Sequence, residues 1–275
     1  MITYNKIGHA GRLGNQLFQF AATVGIARQL GYDVAFPTDN ISQGVTEYFR
    51  DGKVLDVTFD VPKAFDIPAE LLLPKQQIYT TLEAQESSFH YDASILTISD
   101  KTNLSGYFQS EKYFSHIETE LREILTFKQT ILDQAQKLFP KVQGSTIAIH
   151  IRRGDYVQLA SHHPPCEPEY YLQAANVFVD SDPHFIIFSD DIAYCKDLFA
   201  ESGNILYIDN NDPYVDLCLM SMCDHNIIAN SSFSWWGAWL NKNKNKTVVA
   251  PKQWFGPAYS HYNINDLFCK NWITI

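Results

Sequence analysis

The protein has 275 residues, room for one large domain or two of ordinary size. With 45% apolar residues it can bury a substantial core, which excludes intrinsic disorder. The formal charge of −10 excludes a general binder of nucleic acid or anionic lipid, so any anion site has to be local.

The chain opens without the apolar core or cleavage pattern of a secretory leader, and no apolar run approaches the roughly 18 residues of a membrane span. A cytoplasmic protein is expected. Residues 2–7 read as a strand. Gly8-His9-Ala10-Gly11-Arg12-Leu13-Gly14 is a glycine-rich loop, and Leu17, Phe20, Ala21 and Val24 then recur at helical spacing, with Gly31 placed to cap the helix. Residues 34–36 read as a second strand, whereas 39–101 show only turns and short apolar runs. Helices are predicted over 111–126 and 129–138, and Pro140-Lys141-Val142-Gln143-Gly144 marks a boundary. Beyond it, strands at 147–151, 185–189, 206–208, 227–229 and 248–250 alternate with helices at 168–179, 193–200, 214–223 and 233–241. Such alternation implies a parallel sheet with helices on both faces. The predicted fold class is α/β, with two Rossmann-like units, residues 1–140 and 141–275, facing one another across a cleft.

The five cysteines, Cys166, Cys195, Cys218, Cys223 and Cys269, are odd in number and scattered, which speaks against a disulfide framework, and none forms the Cys-x-x-Cys pair of a zinc site. Asp180-Ser181-Asp182 has the spacing of an Asp-x-Asp metal motif but precedes a strand rather than following one, so it reads as a solvated turn. No metal ligand is assigned.

The most informative stretch is the strand Ile147–Ile151 with its continuation Arg152-Arg153-Gly154-Asp155. It puts His150 and two arginines at the carboxyl end of a parallel strand, where open α/β sheets bind ligands. Arginine offers a planar fork of donors to phosphate oxygens. The competing reading pairs one arginine with Asp155 and leaves the other in solvent. Asp190 and Asp191 end another strand, where a carboxylate can accept from the N–H edge of a purine such as guanine or can cap the following helix. Ser231, Ser232 and Phe233 open a helix after a strand, a ready anion site. Trp235, Trp236 and Trp239 in the same helix read as core or interface. The loop before the first helix lacks Gly-x-Gly-x-x-Gly, with only Asp33 or Asp39 as an acidic partner, and a Walker pattern is absent. A dehydrogenase and a P-loop hydrolase are therefore disfavoured. His162 and His163 lie in a proline-rich loop and read as surface residues with acid/base capacity.

Together these residues resemble a known family. His150-Ile151-Arg152-Arg153-Gly154-Asp155 is similar to the His-x-Arg-Arg-x-Asp motif of fucosyltransferases that form α1,2 and α1,6 linkages. Gly11-Arg12-Leu13-Gly14-Asn15-Gln16-Leu17-Phe18-Gln19, the segment from Leu104 to Phe114, and the segment from Ser231 to Ala238 resemble motifs of the α1,2-fucosyltransferases of glycosyltransferase family 11, bacterial type. The resemblance runs from Gly11 to about Trp272.

It implies a GT-B-like fold, with the active site in the cleft between the two domains. It further implies GDP-β-L-fucose as donor, a terminal β-galactose of a glycan as acceptor, inversion to an α-fucoside, and no cofactor or metal. Arg152 is then expected at the β-phosphate, Arg153 in a supporting or structural role, His150 with Asp190 or Asp191 at the guanosine, and Ser231, Ser232 and Phe233 around the diphosphate. Gly14, Asn15 and Gln16 form the acceptor side, with Asn15 facing the reacting sugar. The general base stays open among Asp155, His162, His163 and carboxylates of the amino-terminal half. Alternatives are an α1,6- or other GDP-fucose-dependent fucosyltransferase, and a catalytically silent module that binds GDP-sugar or glycan. Transfer at the inner face of a membrane, through a small exposed patch, fits a builder of surface glycans. The sequence leaves the oligomeric state open.

Overall fold

A computed structural model describes residues 1–9, 11–42, 45–48, 54–200, 203–209 and 212–275. The chain forms two compact units, one of residues 1–128 with 262–269, the other of residues 129–261 with 270–275. The division precedes the helix at 129–138 rather than following it as the proline-containing boundary suggests, because that helix packs in the second unit.

The first unit runs β1 (Ile2–Thr3), α1 (Leu13–Leu30), β2 (Phe36–Pro37), β3 (Val45–Tyr48), β4 (Val54–Val57), α2 (Val61–Ala64), β5 (Leu72–Leu73), β6 (Leu82–Gln85), β7 (Thr102–Ser105) and α3 (Glu118–Ile124). Its main sheet is parallel, in the order β1-β7-β6. The strand predicted over 2–7 stops at Thr3, because the chain turns at once: the Ile7 and His9 amides bond to the Tyr4 and Lys6 carbonyls. Helix α1 starts and ends where the sequence places it, with the Gly31 N–H donating to the Arg28 carbonyl. It is not a surface helix, however: nearly every side chain from Leu13 to Ala27 is buried. Phe20 stacks on Phe36 at 4.5 Å between ring centres, and Phe59 closes the group. The helix predicted over 111–126 breaks into two 3-10 turns and α3, because Phe114 leaves helical geometry (φ −140°, ψ 0°) where it packs against Gly25 of α1.

The second unit holds α4 (Gln129–Leu138), β8 (Ser145–Ile151), α5 (Pro168–Asn176), β9 (Pro183–Ser189), α6 (Ile192–Leu198), β10 (Ile205–Ile208), α7 (Pro213–Met222), β11 (His225–Ile227), α8 (Ser232–Leu240), β12 (Val248–Ala250) and β13 (Ile273–Thr274). All six strands pair parallel, in the order β10-β9-β8-β11-β12-β13. Numbered by chain order within the sheet this is 3-2-1-4-5-6, the doubly wound order whose direction of winding reverses between the first and fourth strands. That reversal falls between β8 and β11. Ile147, Ile149 and Ile151 of β8 point into one core layer with Ile187, Ile227 and Val249, against Tyr171, Ala174 and Phe178 at α5. The sequence reading finds every strand of this sheet except β13, whose two residues carry no periodicity. Trp235 and Trp236 are fully buried, as core residues.

Among the described residues no helix is long and apolar enough to cross a membrane.

Candidate functional site

The reversal point sets the location of the site in the second unit. Strand β8 delivers His150 and then releases the chain into Arg152 and Arg153, while β11 leads through Asn230 into Ser231 and the start of α8.

His150 is 7% exposed, with its ring 5.7 Å from that of Phe233. Burial pushes its pKa down to about 4, against the pull of Asp190 and with Arg152 adding to the fall. The imidazole is therefore neutral at physiological pH, and its Nδ1 is buried without a hydrogen-bond partner. A buried polar atom left unpaired in this way costs stability.

Arg152 is held from two sides. One terminal nitrogen pairs closely with Asp155 and the other lies 2.6 Å from Asp190 Oδ2, while the guanidinium sits over the Tyr156 ring at 5.3 Å. The Asp190 Oδ1 accepts from the Arg153 amide at 2.9 Å. Burial pushes the Asp190 carboxyl up, but Arg152, the backbone N–H groups and His150 outweigh it and hold its pKa below the ordinary value. Arg153 is not left in solvent. Its Nε lies 3.0 Å from Asp191 Oδ2 and its guanidinium 3.5 Å from the centre of the Tyr194 ring. Asp191 also caps α6, accepting from the Tyr194 amide at 3.2 Å.

Both aspartates are thus turned toward the arginines. Two guanidinium charges face three carboxylates, a formal sum of −1 (2 − 3). The site is a network with preset donors rather than a bare cationic patch. The two carboxylates take one terminal nitrogen each, and a guanidinium has five N–H groups.

Ser231 stands at the N-cap of α8 and its hydroxyl makes no capping bond. A helix start of this kind stabilises an anion through its first amides and its dipole. Ser232 and Phe233 begin the helix beside it, half-buried. Asn230, 1% exposed, bolts the surroundings together: its Nδ2 donates to the Pro164 carbonyl at 2.8 Å and the Trp254 carbonyl at 3.0 Å. The Tyr156 hydroxyl donates to the Asn230 carbonyl at 3.2 Å, tying the arginine loop to the end of β11. His163 stacks on Tyr156 at 5.2 Å and packs with Phe255 and Tyr259, and His162 makes an edge contact with Tyr259. The two histidines are thus part of an aromatic cluster behind Arg152. Neither Tyr156 nor Asn230 was singled out by sequence reasoning, since an isolated Tyr or Asn beside a charged motif carries no signal of its own.

The first unit has its own polar group at the carboxyl end of β1 and β7. Asn15 is the third residue of α1 and not its cap; the N-cap position belongs to Arg12, which makes no side-chain capping bond. The reading of Asn15 as a helix cap is thereby excluded. Its Oδ1 accepts from Gln109 Nε2 at 2.9 Å. Gly11 has a positive φ of 82°, and a Cβ there would lie 2.6 Å from Asn15 Nδ2, so the loop needs glycine for both its conformation and its approach to Asn15. Gly14 is buried in the first turn. Gln16, placed on the acceptor side by the sequence, turns into the core instead. It is fully buried, its Nε2 donates to the carbonyls of Gly11 (3.0 Å) and Thr58 (2.9 Å), and its Oε1 accepts from the Asp60 amide at 2.7 Å. Gln16 is a brace for the glycine loop.

Asp180 and Asp182 lie at the amino end of β9, in the turn the sequence predicts, with the Asp182 carbonyl bonded to the Ser145 amide. Among the described residues no group of three or more His, Cys, Asp or Glu side chains is arranged to hold a metal ion.

Comparison with known proteins agrees with this architecture. The sequence profile described as glycosyl transferase family 11 matches residues 1–275. An α-1,2-colitosyltransferase of Escherichia coli is 33% identical over 290 aligned positions, covering 97% of each chain. Galactoside α-(1,2)-fucosyltransferase 2 of Bos taurus is 26% identical over 255 positions, covering 87% of this chain and 69% of that one. Among solved structures, POFUT1 in complex with GDP superposes with a TM-score of 0.55 at 13% identity, over 90% of this chain and 97% of that one. The fold is GT-B-like.

Proposed function

The chain belongs to glycosyltransferase family 11, and from that membership we propose that it is an inverting α1,2-fucosyltransferase that moves L-fucose from GDP-β-L-fucose to the 2-hydroxyl of a terminal β-galactose. The observation that carries the donor half is Arg152, fixed by Asp155 and Asp190 at the sheet's reversal point beside the uncapped start of α8.

In this reading the C1–O bond to the β-phosphate breaks through an oxocarbenium-like state and negative charge grows on the departing GDP. Arg152, preset by its two carboxylates, and the start of α8 with the Ser231 hydroxyl are the donors that would meet that charge. Asp155 and Asp190 act through Arg152 by fixing its plane. Arg153, held by Asp191 and Tyr194, supports the same loop. Neutral His150 and Phe233 receive the guanosine. Asn15 and Gln109 in the first unit position the acceptor hydroxyl, an amide being able both to donate and to accept. The arginine and helix donors supply the countercharge that a metal would otherwise bring, so turnover is expected to survive exhaustive chelation. A loss on chelation that Mn²⁺ restores would overturn that part.

One observation favours a second donor. The relative at 33% identity is a colitosyltransferase, and colitose is L-fucose without its 3-hydroxyl. Sites that hydrogen-bond a substrate hydroxyl reject the analogue lacking it by up to about 10⁴–10⁵, whereas sites that do not discriminate weakly. The test is a comparison of kcat/KM for GDP-L-fucose and GDP-colitose with a β-galactoside acceptor, and NMR assignment of the product linkage. A clear preference for GDP-L-fucose and an α1,2 bond to galactose support the reading. Preference for GDP-colitose replaces the donor, an α1,6 bond replaces the linkage, and GDP-sugar binding without turnover reduces the protein to a binding module.

A further inference from the structure

The carboxyl end of the first unit's sheet holds an acidic group to which the reaction above gives no part. Glu86 follows β6 directly, and its two carboxylate oxygens are spent on consecutive backbone amides after β7: Oε2 accepts from Tyr107 at 2.7 Å and Oε1 from Phe108 at 2.8 Å. The loop it grips is a demanding one. Gly106 has φ +147° and a Cβ there would collide with the Glu86 side chain, while Phe108 sits at φ +53°. A phenylalanine in the left-handed region is strained and persists only where its surroundings impose it. The Tyr4 hydroxyl donates to the Gly106 carbonyl at 2.7 Å and Gln19 Nε2 lies 3.3 Å from the same oxygen, so the start of the loop is fastened to the residue after β1 and to α1. One residue past Phe108 comes Gln109, whose amide holds Asn15.

We propose that Glu86 is a positioning residue for the acceptor: by clamping the Tyr107 and Phe108 amides it forces the bend that brings Gln109 onto Asn15. The inference rests on the acceptor role of Asn15. A carboxylate suits the task because one side chain has to answer two adjacent N–H groups, which a glutamine, with one acceptor oxygen, cannot do in the same geometry. Burial pushes the Glu86 pKa up to about 7, against the lowering by the two amides. The titratable groups that face it are Tyr4 and Tyr113, both phenols raised by burial and neutral across this range. Protonation turns one carboxylate oxygen into a hydroxyl and weakens one of the two grips, so the clamp is complete above pH 7 and loosens below it.

Glu86→Gln is the direct test, read by transfer rate, GDP affinity and hydrogen exchange of residues 106–109. Transfer is expected to fall about 10-fold or more, as small misplacements of positioning groups do, with GDP affinity unchanged and exchange of the loop amides accelerated. The acid limb near pH 7 in the wild-type transfer profile should be absent from the variant. In an Asn15→Ala background Glu86→Gln should lower transfer no further. Gln109→Ala breaks the next link without touching the carboxylate, should reproduce the loss, and gives the answer if the Gln variant does not fold. Normal transfer by Glu86→Gln or, where that variant does not fold, by Gln109→Ala overturns the proposal, as does a full, additive loss in the Asn15→Ala background. Normal transfer by Asn15→Ala itself overturns the acceptor reading and the role of Glu86 with it, whereas loss in Asn15→Ala with normal Glu86→Gln overturns only the latter.

Discussion

The polar groups at the carboxyl end of the two sheets are built on opposite principles. In the second unit Arg152 and Arg153 are held by countercharges: Asp155 and Asp190 on one, Asp191 and the Tyr194 ring on the other. In the first unit Asn15 is held by neutral amides, and the loop around it by Gln16, Glu86 and backbone groups. On the function proposed above, the difference follows from what each would meet. A diphosphate that gains charge as it leaves needs strong donors already oriented, and a guanidinium braced by carboxylates keeps its direction while its remaining N–H groups stay available. An acceptor hydroxyl is neutral, and an amide that can both give and take a hydrogen bond suits it without attracting an anion. Substitutions in the second unit should therefore act on chemistry and on nucleotide binding, and those in the first on geometry and stability.

The largest effect that would break this contrast is at Arg152. Arg152→Lys keeps the charge but loses the plane that Asp155 and Asp190 fix. A fall in kcat on the order of 10²–10³ is expected, comparable to loss of one preorganised donor to developing charge. Steady-state kinetics with saturating donor gives the answer. Near-normal turnover would mean that charge alone suffices and that the carboxylate brace is idle.

Gln16 sharpens the other side. Gln16→Met keeps the volume but strands the Asp60 N–H and the Gly11 and Thr58 carbonyls. Unfolding in urea should show a loss of about 1–3 kcal/mol, the usual range for a buried group left unsatisfied. GDP affinity, which the proposed function gives to the second unit, should be unchanged in the folded fraction. A stable variant that transfers poorly would instead give Gln16 the acceptor contact that the sequence assigns to it.

What was legible in the chain follows the same divide. The second unit could be read almost strand by strand, because a buried parallel sheet writes short apolar runs, and three of those runs lead into candidate site residues: His150 after Ile149, Asp190 after Ser189, Ser231 two residues after Ala229. The first unit has strands of two to four residues, too short to write a period, whereas its long helix α1 is legible from the spacing of Leu17, Phe20, Ala21 and Val24. Gln16 was assigned to the acceptor side for its place beside Asn15, but consecutive helix positions point about 100° apart, and only one of the two can face outward. Glu86 could not be found from sequence at all. Its partners are backbone amides more than twenty positions away, and backbone amides leave no trace in residue identity.

A further effect concerns the neutral His150 and separates a buried base-reading group from another charge in the arginine network. Its pKa falls from 6.5 to about 4 on folding, chiefly through burial. Between those values the unfolded chain binds a proton on this residue that the folded chain does not, so stability rises with pH through the window and is level above it. The slope attributable to the residue is at most about 1.4 kcal/mol per pH unit. Glu86 works in the opposite sense, since its raised value lets the folded chain hold a proton that the unfolded chain releases between 4.5 and about 7. The wild-type curve alone therefore mixes the two, and the measurement is a difference: urea midpoints of wild type and His150→Gln from pH 4.5 to 8. The wild type should lose stability relative to the variant as the pH drops below 6.5, and the two curves should run parallel above it. Parallel curves across the whole range would mean that the imidazole takes up its proton in the folded state, pairs with Asp190, and belongs to the charged network with Arg152 rather than to a neutral pocket.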